Sequence, residues 1–249
     1  MRAPHQLVHS RARVRPRYAL FPLEGYPPSR LPTWPDSEVR ILAAPALGAQ
    51  FVQYLIDLPA GREGTFASDG RIETFYYVLS GTARIANARD ARPGSFGLVT
   101  PTEDFSVRAQ DAARVVVLRK VFEPTKLKHI LSAKAFHGHE CDVKAETWAD
   151  NPHSRLQTLI PDDLQYDLSM NIFTFDPGHG LPYVETHVME HGLLVLEGKG
   201  MYYLDGEWME VEKDDFIWMG PYCPQSFYAT GPGPARYIYY KNVNREIPL

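Results

Sequence analysis

Cysteine is scarce: Cys141 and Cys223 are the only two in 249 residues. That excludes a disulfide framework and fits a reducing, cytoplasmic setting. No stretch approaches the roughly 20 apolar residues of a membrane span. Met1, Arg2, Ala3, Pro4 and His5 open the chain without the apolar run of a secretory leader. Charge of one sign is lacking too. The formal net charge is -4, Lys and Arg form no basic stripe, and no helix-turn-helix pattern occurs. Neither nucleic acid nor a membrane is therefore expected as a partner. Long helical periodicities are also missing. The 21 prolines and 18 glycines are spread along the chain, as in proteins built from many short strands and turns. A hydrophobic content of 44% with 22% charged residues is ordinary for a globular chain that buries a real core.

The chain divides by composition. Residues 1–45 carry Arg11, Arg13, Arg15 and Arg17, then Pro22, Pro27, Pro28, Pro32 and Pro35. They suggest an extended arm with a strand at Tyr18–Phe21, packed on the body or on a neighbouring subunit. Residues 46–122 show strand after strand: Phe51–Ile56, Glu73–Leu79, Thr82–Ile85, Phe96–Val99 and Arg114–Arg119. Residues 123–160 hold Lys126, Lys128, His129, Lys134, His137, His139 and Lys144 with weak periodicity, and are expected to be a linker. The β pattern returns over 161–249.

The two β segments repeat each other. Gly61 and Gly178 follow Pro-Ala and Asp-Pro at an offset of 117 (178 − 61), and Gly81 and Gly198 keep that offset after an apolar strand. Pro101 and Pro221 match at 120, and Lys120 and Lys241 at 121. Four matches in order, on the same strand and turn types, imply a tandem duplication of one β domain.

One cluster in the second repeat carries chemistry. Glu185, His187 and His191 follow Gly178 and precede Gly198. Residues two apart on an extended chain share a face, so Glu185 and His187 point together. His191 has the right parity if the strand continues through it. A carboxylate and two imidazoles on one face are a ready set of metal ligands. At the 117 offset these positions fall on Ser68, Gly70 and Thr74, so one metal per chain is expected, in the second repeat. His137, His139 and Cys141 are a rival cluster. They lack a second ligand pair and lie in the polar linker, so they are taken as a solvated segment.

Gly, a six-residue gap, a ligand cluster, six more residues and Gly resembles the cupin jelly roll, whose inward-facing strand residues surround a pocket. The fold implied is all-β, two tandem cupin jelly-roll barrels, a bicupin. The usual cupin order of two His and then Glu is permuted here, and Gln225 is the best-placed fourth ligand. Glu185, His187, His191 and Gln225 in that order are similar to the (S)-ureidoglycine aminohydrolase family. The likeness extends to Leu47–Ala49, Ile72–Phe75, Asp214–Met219 and Tyr239–Arg245. It departs at Ser169 and Asn171, where family members tend to carry Asn and His, which bears on substrate contacts if those positions line the pocket. The resemblance implies Mn(II) on the four ligands, and Lys241, Tyr202 and Tyr237 as catalytic pocket residues. The mixed N/O donor set equally suits Fe(II), Ni(II) or Zn(II). The implied reaction removes ammonia from (S)-ureidoglycine, a small-molecule substrate, to give (S)-ureidoglycolate. Rival readings are a dioxygenase or isomerase on another small acid, and a non-catalytic small-molecule-binding cupin. Sheet edges need protection, and a homo-oligomer is expected.

Overall fold

A computed structural model of the chain describes residues 11–86, 90–127 and 133–246. Lys128 and His129 of the expected linker, and the first residues of the expected arm, lie outside them. Contacts divide the chain into two units. One is Pro27–Asp142; the other joins Val143–Leu249 with the residues up to Tyr26.

The N-terminal unit holds two antiparallel sheets. The larger orders its strands Phe136–His139, Ser95–Val99, Ile72–Ser80, Ala113–Val121, Phe51–Leu58 and Glu38–Ala43. The smaller orders Glu63–Phe66, Phe105–Ala109, Ala83–Ile85 and Asp90–Ala91. Alternation sorts their faces. In Phe105–Ala109, Phe105, Val107 and Ala109 are buried while Arg108 is exposed. The inward sets meet in a core of Trp34, Phe66, Tyr76, Phe105, Val115 and Val117.

The C-terminal unit repeats the plan. Its larger sheet orders Arg13–Arg15, Tyr18–Phe21, Phe216–Met219, His191–Glu197, Ala235–Asn242, Leu168–Phe175, Asn151–Thr158 and Glu146–Trp148. The smaller orders Glu207–Glu212, Lys199–Leu204 and Gln225–Ala229. The core between them includes Tyr18, Phe173, Phe175, Tyr202, Val211 and Phe227.

The duplication is written into the backbone bonds. Gly61 N–H donates to Ala109 C=O at 2.9 Å, and Ala109 N–H to Arg62 C=O at 2.9 Å. Gly178 N–H donates to Ala229 C=O at 3.0 Å, and Ala229 N–H to His179 C=O at 2.9 Å. Gly81 and Gly198 both sit at φ 73°. A Cβ there would lie 2.1 Å from Ala112 O or 2.3 Å from Pro234 O, so both turns require glycine.

Three segments differ from the sequence expectation. The expected arm is divided: Tyr18–Phe21 pairs with Phe216–Met219 in the C-terminal sheet, whereas Glu38–Ala43 pairs with Phe51–Leu58. Arg11 pins the first part through Asp215 at 2.5 Å and Glu212 at 2.9 Å. The expected linker contains three strands, Phe136–His139, Glu146–Trp148 and Asn151–Thr158. Phe136–His139 pairs with Ser95–Val99, and Asn151–Thr158 with Leu168–Phe175. Lys126, Lys134 and Lys144 lie in the connections between strands, which breaks up the period. Finally, the sequence match of Lys120 with Lys241 is off by one residue. Lys241 pairs with His191 as Arg119 pairs with Thr74, so Arg119 is the counterpart of Lys241.

Candidate metal centre

Two central strands and one irregular segment build the site. Ala235–Asn242 lies between Leu168–Phe175 and His191–Glu197. Its alternation brings Tyr237, Tyr239 and Lys241 onto the cavity side, with Ile238 and Tyr240 buried on the other. Lys199–Leu204 turns Gly200, Tyr202 and Leu204 inward by the same rule. Glu185 and Gln225 exchange both backbone bonds, at 2.8 and 2.9 Å. Side chains of such a pair stand on the same face.

The strand expected to carry Glu185 through His191 is interrupted. The regular strand starts at His191. Between them, His187 C=O accepts from Tyr222 N–H at 2.7 Å and Glu190 N–H donates to the Asn242 side chain at 2.8 Å. Both bonds hold the segment outside a ladder, so strand parity does not orient His187. The segment itself brings its ring to His191.

All seven residues singled out in the sequence line one cavity of 510 Å³: Glu185, His187, His191, Gln225, Tyr202, Tyr237 and Lys241. The two imidazole Nε2 atoms stand 3.2 Å apart. His191 Nδ1–H donates to Tyr240 C=O at 2.9 Å, which fixes the tautomer and leaves the Nε2 lone pair free. The Gln225 amide end lies 3.3 Å from His187 Nε2, while its other atom meets the Tyr202 hydroxyl at 3.2 Å. Amide oxygen and nitrogen exchange places by a half-turn of the side chain. That turn presents Oε1 to the imidazoles and lets Nε2–H donate to Tyr202.

Burial sets the protonation states. It lowers His191 to about 3, helped by the neighbouring His187. Burial lowers His187 as well, with Lys241 adding to the effect. Both rings are therefore neutral at pH 7, the form that ligates metal. Burial raises Glu185 against the opposing pull of Lys241, and lowers Lys241 against the opposing pull of Glu185. Tyr202 and Tyr237 are pushed well above the ordinary tyrosine value by burial, so both remain O–H donors.

The donor set fits a divalent ion. Two nitrogens each about 2.1 Å from one ion stand about 3.0–3.4 Å apart, and the observed imidazole separation of 3.2 Å falls within that range. Among the described residues no three His, Cys, Asp or Glu side chains stand close enough together to hold an ion unaided. The assembled part is thus the imidazole pair with the Gln225 amide, and Glu185 faces it across the same cavity.

The equivalent place in the N-terminal unit is filled. Phe66 pairs with Phe105 as Glu185 pairs with Gln225. This pairing moves the counterpart of Glu185 from Ser68 to Phe66, while His191 keeps Thr74. The two rings are stacked with centroids 6.5 Å apart, Trp34 lies 5.0 Å from Phe66, and the Arg119 guanidinium sits 4.4 Å over Phe66. The rival cluster is likewise engaged. His137 Nδ1 meets Tyr76 OH at 2.8 Å, His139 Nε2 meets Pro93 C=O at 2.9 Å, and His139 Nδ1 accepts from Cys141 N–H at 3.1 Å. His137 and His139 belong to an edge strand and Cys141 to the turn after it, with His137 and Cys141 exposed.

Ser169 and Asn171 do not line the cavity. Tyr239 does, and sequence reasoning passed over it. Its parity with Tyr237 and Lys241 was the available signal.

Two repeats of one jelly-roll plan, with a polar pocket in the second, define a bicupin. The cupin domain family matches residues 171–240. A solved protein of Pseudomonas aeruginosa, described as a putative glyoxylate induced protein, superposes with a TM-score of 0.89 at 32% identity, covering 100% of this chain and 97% of that one. The Escherichia coli protein YlbA does so at 0.84 and 30%, covering 98% and 99%. Bacillus subtilis oxalate decarboxylase, at 11% identity and a TM-score of 0.68, shares the fold alone. The (S)-ureidoglycine aminohydrolase of Escherichia coli K12 is 32% identical over 98% of this chain and 95% of its own length. That of Arabidopsis thaliana is 29% identical over 92% and 76%. The chain belongs to the (S)-ureidoglycine aminohydrolase family.

Proposed function

We propose that this protein is a metal-dependent hydrolase that releases ammonia from (S)-ureidoglycine to give (S)-ureidoglycolate, in purine and allantoin catabolism. The observation that carries the reading is one cavity collecting two neutral imidazoles, an amide, a carboxylate and a half-buried lysine in a chain of this family. Glu185, His187, His191 and Gln225 would hold the ion, with the Gln225 amide turned and the Glu185 side chain rotated toward the imidazoles. Manganese is the metal proposed, and Fe(II), Ni(II) or Zn(II) suit the same donors. A divalent ion there supplies a Lewis acid that withdraws charge from the group it binds.

The chain's own residues do the rest. Lys241 pairs with the substrate carboxylate and fixes one face of the α-carbon. Because burial lowers its pKa, Lys241 also gives up a proton more readily than an exposed lysine, which suits departure of ammonia. Tyr202 and Tyr237 donate hydroxyl hydrogens and do not act as bases. Trp148, Phe173, Leu181 and Met219 form the apolar wall that keeps bulk water from the reacting carbon. In balance, water adds its oxygen at the α-carbon, the bond to the amine breaks, Lys241 protonates the amine so that it leaves as ammonia, and the proton shed by the water restores Lys241.

Two free cysteines, one buried, fit a cytoplasmic enzyme. Among the described residues no helix is long and apolar enough to cross a membrane. A homo-oligomer is proposed from the open sheet edges.

The test is ammonia release from (S)-ureidoglycine generated in place, by metal-stripped protein with and without Mn(II). Stereoselective release that returns with Mn(II) and is absent in His187→Ala supports the reading. Tight metal binding with no release would discard the substrate and keep the site.

A further inference from the structure

The second repeat departs from the first at a point directly beside the site. In the first repeat Thr65 alone stands opposite Ser106, between the pairs Gly64–Val107 and Phe66–Phe105. In the second, Leu181 N–H donates to Phe227 C=O at 2.9 Å, and Glu185 pairs with Gln225. Pro182, Tyr183 and Val184 therefore stand opposite the single residue Ser226. The extra residues make a bulge immediately before Glu185. Bulges re-aim side chains and gather next to active sites. The effect is visible here: successive residues of a strand point to opposite faces, yet Tyr183 and Val184 both line the cavity.

Packing does not explain these two side chains. Tyr183 is 53% exposed and Val184 50%. Among the described residues the Tyr183 side chain has no hydrogen-bond or ring partner. Adjoining large apolar groups left in water at the wall of a polar cavity fit a ligand-binding surface. The cavity also has room for them to act. Its 510 Å³ equals the liquid volume of about 17 waters at about 30 Å³ each, more than a small ureido acid fills. Placement decides which end of the acid they meet. Lys241 rises from the larger sheet, whereas the bulge is tied to Gln225–Ala229 of the smaller one. An acid whose carboxylate meets Lys241 therefore points its ureido end across the cavity toward the bulge.

We infer that Tyr183 and Val184 form a subsite for the ureido end of the substrate, with the Tyr183 ring laid over that planar group. The inference rests on the proposed reaction for its substrate class and makes Tyr183 a substrate-binding residue.

The experiment measures binding to the Mn(II)-loaded protein by calorimetry, with metal content and melting temperature checked for each variant. One probe is N-carbamoylglycine, which keeps the carboxylate and the ureido end but has no amine to lose. The other is glycolate, which has no ureido end. Tyr183→Ala is expected to weaken N-carbamoylglycine about tenfold, the scale of one aromatic contact, and glycolate less than about twofold. Tyr183→Phe keeps the ring and is expected to recover most of the loss. Val184→Ser is expected to show the same selectivity at about threefold. In ammonia release from (S)-ureidoglycine, the KM of Tyr183→Ala should rise by the factor seen in binding, as for a contact made alike in ground and transition states. Equal weakening of the two acids overturns the inference, since a merely structural residue acts on both. So does wild-type affinity for N-carbamoylglycine in Tyr183→Ala, or no binding of N-carbamoylglycine by the wild type. A wild type that gives the expected binding but releases no ammonia strikes the proposed reaction and leaves the subsite standing.

Discussion

Acid should destabilise the metal-free protein chiefly through His191. In the unfolded chain this imidazole takes up a proton as pH falls past 6.5, but in the folded chain only near 3. Between those values the unfolded state binds more protons, so stability falls as pH falls. The stability linked to His191 is present above pH 6.5 and is lost progressively toward pH 3. One pKa unit corresponds to about 1.4 kcal/mol, so lowering pH from 7 to 4.5 removes about 2.5 kcal/mol at this residue. The assay is urea unfolding with a chelator present, at both pH values, for wild type and His191→Gln. Carboxylates such as Asp176, held low by Arg155 and His153, lose stability in the same direction and are common to both proteins. The wild type should therefore lose about 2.5 kcal/mol more than the variant. Equal losses would mean that the His191 ring is solvated enough to take up a proton in place, and the neutral-ligand argument would fail with it.

Lys241→Met should lower kcat/KM at least a hundredfold while bound manganese, measured by elemental analysis, stays near wild type. Loss of the metal along with activity would mark Lys241 as structural. Gly198→Ala should cost about 2 kcal/mol or more in chemical unfolding, because its Cβ meets Pro234 O at 2.3 Å and its φ is 73°. Wild-type stability would refute the close approach. Arg11→Ala should cost about 2 kcal/mol, since it strips a bidentate partner from Asp215, which is 1% exposed. A melting temperature equal to wild type would show the arm to be dispensable.

The fold was legible where backbone geometry forces a residue type. Gly61 with Gly178 and Gly81 with Gly198 occupy positive-φ turns, so they survive duplication as glycine and fix the 117 offset. It was less legible where length changes. Between Gly178 and Glu185 the second repeat has two residues more than lie between Gly61 and Phe66. It recovers them before His191, so a uniform offset places Glu185 on Ser68 instead of Phe66. The last strand is shifted by one more residue than the matching lysines suggest, because Lys120 faces Glu73 at 3.9 Å on the other side of its sheet. In the site, residue types and spacing picked out Glu185, His187 and His191, while Gln225, Tyr202, Tyr237 and Lys241 came from the likeness to a known family, and all seven line one cavity. Parity did not orient His187, which sits on an irregular segment whose course depends on Tyr222 and Asn242, more than 30 residues away. Tyr239 fell within the stretch that carries the family likeness, with no role assigned to it. Its ring contacts with Phe173 and His191 come from two other strands, which no local pattern reveals.

The pairing of Tyr18 with Met219, and of Met219 with His191, has a consequence for how the protein is made. The strand that backs the site, Tyr18–Phe21, meets a partner about 200 residues later in the sequence. Every strand of the first repeat lies between Pro27 and Asp142, so that barrel can close while synthesis continues. The barrel bearing the site cannot. It must wait for the last strands, and meanwhile the Tyr18–Leu20 side chains need shelter from water. Cutting between the repeats would therefore not release a working second barrel, only one with the edge of Phe216–Met219 laid bare. The second barrel becomes able to act only once Tyr18–Phe21 has met Phe216–Met219.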